Sequence, residues 1–435
     1  MSNRSRELVG LVLAGLMATV AVTTVVVAQE IAVPSRAITW GAMFLGLYLV
    51  AHIAIRKTVP YADGALLPLT AVLTAFGLVT IYRLDEDDGI RQATWVAVGV
   101  GALVATLAWL RHDYRVLEQY RYLFGVAAVA LLLLPSVPGI GQRVNGVRLW
   151  VDLGPIQFQP GELAKICLIV FLAAYLREKR EVIAQGRLKD FGPLLAIWGA
   201  AMLVIVQTND LGSALLNFGI FLAMLYVATG RALYVAAGLA MFIGGAAVLY
   251  NAIAHVRDRV TIWLQPWTEE KVYCALNGEL EFRQDCASYQ LVKSLYSIGN
   301  GGFWGTGLGE GTFTSTDGSQ LIPYLRTDFV FSAIAQELGL VGASALVLVF
   351  MLFVVRGMRI ALHAQDGFSK LLATGLTFGF ALQTFIILGG VLRVVPLTGI
   401  TLPFVSYGGT SIVANFLLLA GLLLVSNRAN ALGGR

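Results

Sequence analysis

The amino-acid sequence predicts an all-α fold, a polytopic integral membrane bundle of about 12 transmembrane helices with one large extracytoplasmic loop. Apolar residues make up 57% of the 435 residues and charged residues 13%, and the mean hydropathy is +0.75. This composition is too apolar for a soluble globular protein. Apolar stretches of bilayer-spanning length recur along the chain, and one long polar stretch, residues 255–337, interrupts them.

Apolar windows of about 17 to 25 residues predict the individual transmembrane helices. The fifth window is short, and the eighth follows directly on the seventh. The first is too long for the apolar part of a signal peptide and lacks a cleavage site, so no cleavable signal is expected. The windows lie near residues 8–28, 37–55, 65–83, 92–110, 120–135, 162–177, 191–208, 211–229, 232–254, 329–355, 370–392 and 410–426.

Basic residues predict the orientation of these helices. Lys and Arg concentrate in alternate connections, as at Arg56, Lys57 and Arg111, whereas the acidic run 85–88 falls on the other side. Cytoplasmic connections are enriched in Lys and Arg, so both termini are expected in the cytoplasm and the loop 255–329 outside it. We therefore assign the net charge of +5 to membrane sidedness and expect no nucleic-acid partner.

The chain divides into an N-terminal extension and a core. Residues 1–64 carry two predicted helices and none of the unusual polar placements found later, so they are expected to act as simple anchors. Residues 65–435 carry every polar motif and form the predicted core.

Charged residues inside or beside apolar windows predict a polar cavity. Glu162 and Lys165 are three residues apart and share one helix face. Charges at membrane depth normally face a bundle interior or a watery cavity. Arg148, in the preceding loop, adds a cation for anionic groups such as phosphates. An interfacial ion pair that fixes the depth of the helix is the alternative.

Two interruptions between windows predict irregular backbone that lines the same cavity. Asp210 separates the seventh and eighth windows, where it either marks a helix break facing a cavity or caps the next helix. Residues 392–416 contain two prolines, three glycines and hydroxyls that include Ser406. This segment is either a broken, cavity-lining stretch or an ordinary tight connection.

The long loop ends in a glycine-rich stretch, with seven glycines among residues 299–311. No Gly-Lys-Ser/Thr follows, so it is not a nucleotide-binding P-loop. The interleaved Phe303 and Trp304 favour a loop folded against the membrane or a lipid-like substrate over a flexible linker. Arg326, Asp328 and Glu337 flank the next window, where the two carboxylates are expected on opposite sides of one helix.

Cys274 and Cys286 lie in the long loop. If this loop faces an oxidising compartment, we expect a disulfide between them, and two free thiols are the alternative.

Together these motifs resemble the SEDS family (shape, elongation, division and sporulation), the RodA-like and FtsW-like peptidoglycan glycosyltransferases. The resemblance covers roughly residues 65–428. It rests on LWVDLGPIQFQPGELAK, NDLGS, YQLVKSLYSIGNGGFWGTGLGEG, LIPYLRTDFVFSAIAQELGLVG and LPFVSYGGTS in the family's order. The family core has ten spans, so the first two helices here are an addition.

The resemblance also implies the site residues. The family's loop carries a catalytic aspartate in a pattern similar to Pro-x-x-Asp-Pro followed by Gly-Tyr-Gln, and this pattern is interrupted here. Alignment backwards from Tyr289 and Gln290 ends near Arg283, beside Asp285, which we favour, whereas alignment from Pro266 leads to Glu269. The implied substrate-binding residues are Arg148, Glu162, Lys165, Asp210, Arg326, Asp328 and Ser406.

The implied function is polymerisation of lipid II into glycan strands at the outer face of the bacterial cytoplasmic membrane, for elongation rather than division. A divalent cation, Mg²⁺ or Mn²⁺, is a candidate cofactor, and membrane lipids surround the protein. The implied partner is a class B penicillin-binding protein, a single-span transpeptidase. Gly375 and Gly379 have the small-residue spacing of a helix-docking face, or of packing inside the bundle. A lipid II flippase is the alternative function.

Overall fold

The computed structural model describes residues 3–28, 34–144, 147–152, 154, 157–184, 192–268, 271–274, 280–314 and 320–432. Helices dominate this part of the chain, as predicted. They are α1 (Asn3–Ala28), α2 (Pro34–Thr58), α3 (Leu66–Leu84), α4 (Glu86–Leu110), α5 (Val116–Gln119), α6 (Arg121–Leu133), α7 (Pro160–Ala184), α8 (Gly192–Gln207), α9 (Leu211–Thr229), α10 (Ala232–Ala252), α11 (Ala254–Leu264), α12 (Tyr289–Gly301), α13 (Val330–His363), α14 (Gly367–Val391) and α15 (Gly409–Leu432).

Each of the 12 predicted windows coincides with one of these helices. Among the described residues, nine helices are long and apolar enough to cross a membrane. The helices α6 and α8 are apolar but shorter, with 13 and 16 residues. The helix α7 has 25 residues and carries Glu162 and Lys165 within its first two turns. A multi-pass helical membrane bundle is therefore confirmed, and the count of 12 spans stays a prediction.

Short strands occur in the connections. An antiparallel sheet of three strands, β1 (Gly141–Val144), β2 (Val147–Asp152) and β3 (Gln157–Phe158), precedes α7. An antiparallel pair, β4 (Lys271–Tyr273) and β5 (Leu280–Phe282), lies in the long loop. The long loop thus contains folded structure, in keeping with its aromatic content.

The core of the bundle surrounds α14, which packs against α7, α9, α13 and α15. Within α14 and α15, 78% of the residues in the most apolar window are buried, compared with 6% in α10. Phe380 of α14 lies with its ring 4.3 Å from that of Phe353 on α13 and 6.1 Å from that of Phe404. The most buried helices therefore position the segment that joins α14 to α15.

Gly375 and Gly379 lie inside this core, so the prediction of a partner-docking face there is wrong. A Cβ added to Gly375 would lie 2.7 Å from both Ile169 and Met224, and one added to Gly379 would lie 3.1 Å from Ile220. Their small size lets α14 approach α7 and α9 closely. Packing inside the bundle, the alternative that the sequence left open, therefore accounts for their spacing.

The two N-terminal helices pack on the core rather than standing apart from it. The helix α1 contacts both α2 and α3. Near its start, the buried Glu7 accepts a hydrogen bond from Arg4, and its Oε1 lies 2.7 Å from His52 Nδ1 of α2. Arg4 also donates to the carbonyls of Val59 and Ala62, at 2.8 and 3.0 Å. These contacts attach the start of α1 to the connection between α2 and α3.

Asp328 and Glu337 do not share a helix, contrary to prediction. The helix α13 begins at Val330, after Asp328, and it is broken at Gly339, where φ is +64°. The glycine-rich stretch closes this break through backbone hydrogen bonds, among them Gly307 N to Glu337 O at 3.0 Å and Leu340 N to Gly302 O at 3.0 Å. A Cβ on Gly305 would lie 2.2 Å from Glu337 O, so the glycines permit close backbone packing.

Candidate functional site

A chain of buried polar side chains links α7 to α14. Lys165 is 5% exposed, and its Nζ donates to Glu162 Oε2 at 2.8 Å and to Gln383 Oε1 at 2.6 Å. Gln383 Nε2 donates to the carbonyl of Thr401 at 2.9 Å, and the Thr401 hydroxyl lies 2.8 Å from that of Ser411 on α15. We call this set the lysine network. It brings a cation into the interior of an apolar bundle, where charge normally serves function.

A second charged group lies at the N-terminal end of α9. Asp210 caps this helix by accepting a hydrogen bond from Ser213 N at 3.0 Å, as the capping alternative predicted. Burial raises the pKa of Asp210, and the nearby Glu162 raises it further, whereas the bonds from Ser213 and the charge of Arg259 lower it. The charges of Glu162, in the lysine network, and of Arg259, on α11, therefore both act on Asp210.

That cation, Arg259, experiences the negative charges of two carboxylates. Burial lowers the pKa of its guanidinium, while the negative charges of Asp328 and Asp210 raise it. Arg259 Nη1 also donates to the carbonyl of Leu397 at 2.9 Å. We call Asp210, Arg259 and Asp328 the arginine cluster. It joins three elements that are far apart in sequence, namely the start of α9, α11 and the end of the long loop.

The pKa of Asp328 is well above that of an ordinary aspartate. Burial raises its pKa from 3.8 to about 6, and the Thr327 hydroxyl and Arg259 offset only part of this increase. Since α13 starts two residues later, the carboxylate sits where the long loop enters the bundle. Such a group changes charge in a pH range close to physiological, which is typical of functional sites.

The segment from Leu392 to Gly408, which we call the broken segment, connects the lysine network and the arginine cluster. Its backbone is irregular, and Arg393, Gly399 and Phe404 have φ of +61°, +73° and +64°. It supplies Leu397 O to Arg259 and Thr401 O to Gln383. The irregular backbone agrees with a broken segment, and the lining of a cavity by this segment stays a prediction.

Ser406 is a buried residue of the broken segment, and its hydrogen bonds hold the local backbone. It is 2% exposed, and its hydroxyl accepts from Leu402 N at 2.9 Å and donates to the carbonyl of Thr327. Gln92 of α4 donates to the Ser406 carbonyl at 3.0 Å. Ser406 thus holds the residue next to Asp328 in place.

Arg326 belongs to a separate ion-pair group. Its Nη1 lies 2.8 Å from Asp85 Oδ2 and also contacts Asp88, at the start of α4. Arg91 contacts the other oxygen of Asp88 at 3.2 Å. Two carboxylates therefore neutralise Arg326, which the sequence had suggested as a substrate-binding cation. Arg148 lies exposed on β2, in the sheet that precedes α7.

Asp285 and Glu269 are the two candidate carboxylates of the long loop, and the structure describes the first of them. Asp285 ends a short 3-10 turn, Arg283–Asp285, and its side chain is exposed. It lies beside the disulfide that joins Cys274 to Cys286, whose Cα atoms are 5.6 Å apart. The following helix α12 packs on α13, where Ser294 and Ser332 hydroxyls lie 2.6 Å apart. Glu269 lies outside the described residues.

Arg393 fastens the start of the long loop to the broken segment. It donates to the carbonyls of Trp263 and Leu264, each at 2.7 Å, and its guanidinium lies 5.2 Å from the ring centre of Trp267. In return, Trp263 Nε1 donates to the Arg393 carbonyl at 3.1 Å. These contacts fix the end of α11, just before Glu269.

Sequence reasoning missed Arg259 and Arg393. Arg259 and Trp263 are four residues apart on α11 and so share a face, a spacing that could have marked the helix as docked. Nothing in the sequence around Arg393 indicates that its side chain reaches α11.

Comparisons with known proteins decide the family. The FtsW/RodA/SpoVE family of cell cycle proteins matches residues 64–431 of this chain. The chain belongs to this family. Among curated relatives, peptidoglycan glycosyltransferase RodA of Mycobacterium tuberculosis is 37% identical over 98% of this chain and 91% of its own length. Stage V sporulation protein E of Bacillus subtilis is 33% identical, over 85% of this chain and 98% of its own.

Solved structures share the fold of this chain. A chain from a peptidoglycan synthase complex that coordinates polymerisation and crosslinking matches with a TM-score of 0.69 and 27% identity, over 85% of this chain and 98% of its own. The crystal structure of Thermus thermophilus RodA matches with a TM-score of 0.58 and 26% identity, over 84% and 96%. The family match begins at residue 64, and the assignment of residues 1–64 as a separate unit stays a prediction.

Proposed function

We propose that this chain polymerises lipid II into glycan strands at the outer face of the bacterial cytoplasmic membrane. The observation that carries the proposal is the placement of two cations near carboxylates: Lys165 donates to Glu162, and the charges of Asp210 and Asp328 act on Arg259. Family membership and near full-length similarity to a relative named peptidoglycan glycosyltransferase RodA support it. That relative's name also supports elongation over division.

The reaction requires a base and a cationic site for the leaving group. The 4-hydroxyl of an acceptor sugar attacks the anomeric carbon of a donor, the new glycosidic bond forms, and the bond to the polyprenyl diphosphate breaks. The hydroxyl proton passes to a carboxylate, and the diphosphate leaves as an anion. Positive groups held at the diphosphate before the reaction stabilise the charge that develops there.

Lys165 and Arg259 are the side chains that we assign to the diphosphate. Lys165 is held by Glu162 and Gln383, so its ammonium is oriented before substrate arrives. Arg259 offers a planar guanidinium, which suits phosphate oxygens. Arg326 is not assigned to the diphosphate, because it contacts Asp85 and Asp88 in an ion-pair group that is separate from the lysine network and the arginine cluster. Arg148, being exposed, is assigned to the diphosphate or sugar of an incoming lipid.

We assign the general base to Asp285, with Glu269 as the alternative. Asp285 is exposed, and its turn continues through Ser288 into α12, which the bundle anchors. The disulfide between Cys274 and Cys286 constrains the same turn. Both features favour a carboxylate that is accessible to a sugar hydroxyl and limited in its motion.

A divalent cation has no step in this proposal. Among the described residues, one group of three His, Cys, Asp or Glu side chains is close enough to share an ion, namely Cys274, Glu281 and Cys286. Since the two sulfur atoms are bonded to each other, this group offers a single carboxylate, which does not fit the oxygen-rich coordination of Mg²⁺.

The partner in this proposal is a class B penicillin-binding protein. A polymerase of glycan strands works beside an enzyme that crosslinks them, and the structural neighbour comes from a complex that coordinates both reactions. Co-purification of the transpeptidase from the native membrane is the expected result. Recovery of the chain without any transpeptidase from mild detergent would contradict this assignment.

Purified protein in liposomes that contain fluorescent lipid II tests the proposed function. We expect a ladder of glycan polymer from the wild type and a loss of at least 10²-fold in Lys165→Met, which removes a charge that faces the leaving group. Lys57→Met removes an exposed lysine of α2 and serves as the matched control. Transfer of lipid II between leaflets without polymer would instead identify a flippase.

A further inference from the structure

A polar cavity lies at the end of the bundle opposite to the lysine network. It has a volume of about 400 Å³ and opens where the C-terminal ends of α13 and α15 meet the connection between α2 and α3. Its charged and polar lining includes Asp63, Arg356, Arg359, His363 and Asn430. We call it the basic cavity. No step of the proposed reaction uses it.

The basic cavity carries excess positive charge. Arg356 Nη1 lies 3.5 Å from Asp63 Oδ2, and the other oxygen of Asp63 accepts from Ala65 N at 2.8 Å. Arg359 is exposed and forms no ion pair with any residue that the structure describes. The lining of the basic cavity therefore holds two guanidinium groups and one carboxylate, which pairs with Arg356 alone. A phosphate group matches such a pair, because its oxygens accept parallel hydrogen bonds from guanidinium groups.

The surface beside the basic cavity is apolar. Leu352 and Val355 precede Arg356 and Arg359 by one helical turn on α13, and their side chains are 44% and 45% exposed. Leu362, between Arg359 and His363, is 71% exposed. A ligand at this site would meet cations at one end and an exposed apolar helix face at the other. Membrane lipids have this combination, and soluble phosphates do not.

We propose that the basic cavity binds the phosphate headgroup of an anionic membrane lipid, with the acyl chains along α13. Basic pockets between transmembrane helices bind anionic headgroups in other membrane proteins. The side of the membrane follows from the basic residues at this end of the helices, which predict the cytoplasmic leaflet.

The bound lipid would also hold the N-terminal extension on the core. Tyr61 and Asp63 of the connection donate backbone hydrogen bonds to Asn427 and Ser426 of α15, at 2.8 and 2.9 Å. Asn430 donates to the Tyr61 carbonyl at 2.7 Å. A phosphate between Arg356 and Arg359 would offset their mutual repulsion beside this joint, so lipid binding should stabilise the folded protein.

The test measures lipid binding to the full-length protein after delipidation in detergent. Native mass spectrometry and the thermal unfolding midpoint are recorded with dioleoylphosphatidylglycerol, with dioleoylphosphatidylcholine and with inorganic phosphate. We expect phosphatidylglycerol to bind and to raise the midpoint, and the other two to have little effect. The double variant Arg356→Gln, Arg359→Gln should bind it at least ~10-fold more weakly, since two charge-assisted hydrogen bonds are lost.

Two further variants make the result specific. Arg359→Gln removes no ion pair seen among the described residues, so it should fold normally and still weaken binding, whereas Arg359→Lys should retain part of it. Arg111→Gln removes an exposed arginine at the end of α4 and should leave binding unchanged. The proposal is overturned if the double variant binds as the wild type does, if Arg111→Gln loses as much affinity, or if inorganic phosphate stabilises equally. The polymerase assay is not needed for any of these outcomes.

Discussion

Replacement of Asp328 by Asn tests the electrostatics of the arginine cluster. Burial raises the pKa of Asp328 from 3.8 to about 6, so the folded protein binds the proton of this group more tightly than the unfolded chain does. The stability that this proton contributes is present below about pH 4 and is lost as the pH rises through about 6. Above that pH, the ionised carboxylate lowers the free energy of unfolding.

The size of this effect follows from the difference in pKa. A difference of about 2 units corresponds to up to about 3 kcal/mol, at about 1.4 kcal/mol per unit. Asp328→Asn keeps the shape of the protonated side chain and cannot ionise. We therefore expect the variant to be more stable than the wild type by up to about 3 kcal/mol at pH 7.5, and by much less at pH 4.

The measurement is the free energy of unfolding in detergent micelles at both pH values, with Asp152→Asn as the control. Asp152 is exposed on β2, so its replacement should give no comparable pH dependence. An equal change at both pH values in Asp328→Asn, or none at either, would refute the assignment of a raised pKa. Polymerisation should fall in the same variant, because Arg259 loses the charge that faces it.

Three other substitutions test the remaining assignments. Arg259→Gln should lower polymerisation by ~10² or more while Arg259→Lys retains part of it, and the exposed Arg257→Gln on the same helix should behave as the wild type in the same assay. Arg393→Gln removes both bonds to the carbonyls that end α11, so hydrogen exchange in residues 254–268 should become faster. An unchanged exchange pattern would contradict the role of Arg393 in holding the end of α11. Asp285→Asn should lose ~10² to 10⁴ in polymerisation rate, and normal activity there with loss in Glu269→Gln would transfer the role of base to Glu269.

The sequence by itself determined the membrane class, the positions of the helices and the family. Apolar windows of bilayer length are a local property, because each helix satisfies its own backbone hydrogen bonds and needs no distant partner to be recognised. Glu162 and Lys165 were also identifiable, since their spacing within one helix defines a shared face. Capping of the next helix by Asp210, one of the two alternatives that the sequence left open, was recognisable for the same local reason.

Only the tertiary structure decided which polar residues meet. The sequence suggested that Arg326 could bind an anionic substrate. In the structure it forms ion pairs with Asp85 and Asp88, which lie more than 200 positions away in the chain. Gly375 and Gly379 had the spacing of a docking face, and only the packing of α7 and α9 against α14 shows that this face is interior.

Arg259 and Arg393 illustrate the same limit. Each reaches its partners through an irregular segment, where the path of the backbone depends on contacts between residues more than 100 positions apart. A periodic pattern identifies the face of a single helix, but it carries no information on which helix or loop covers that face. The cations around the candidate site were therefore found only once the fold had brought α11 and the broken segment together.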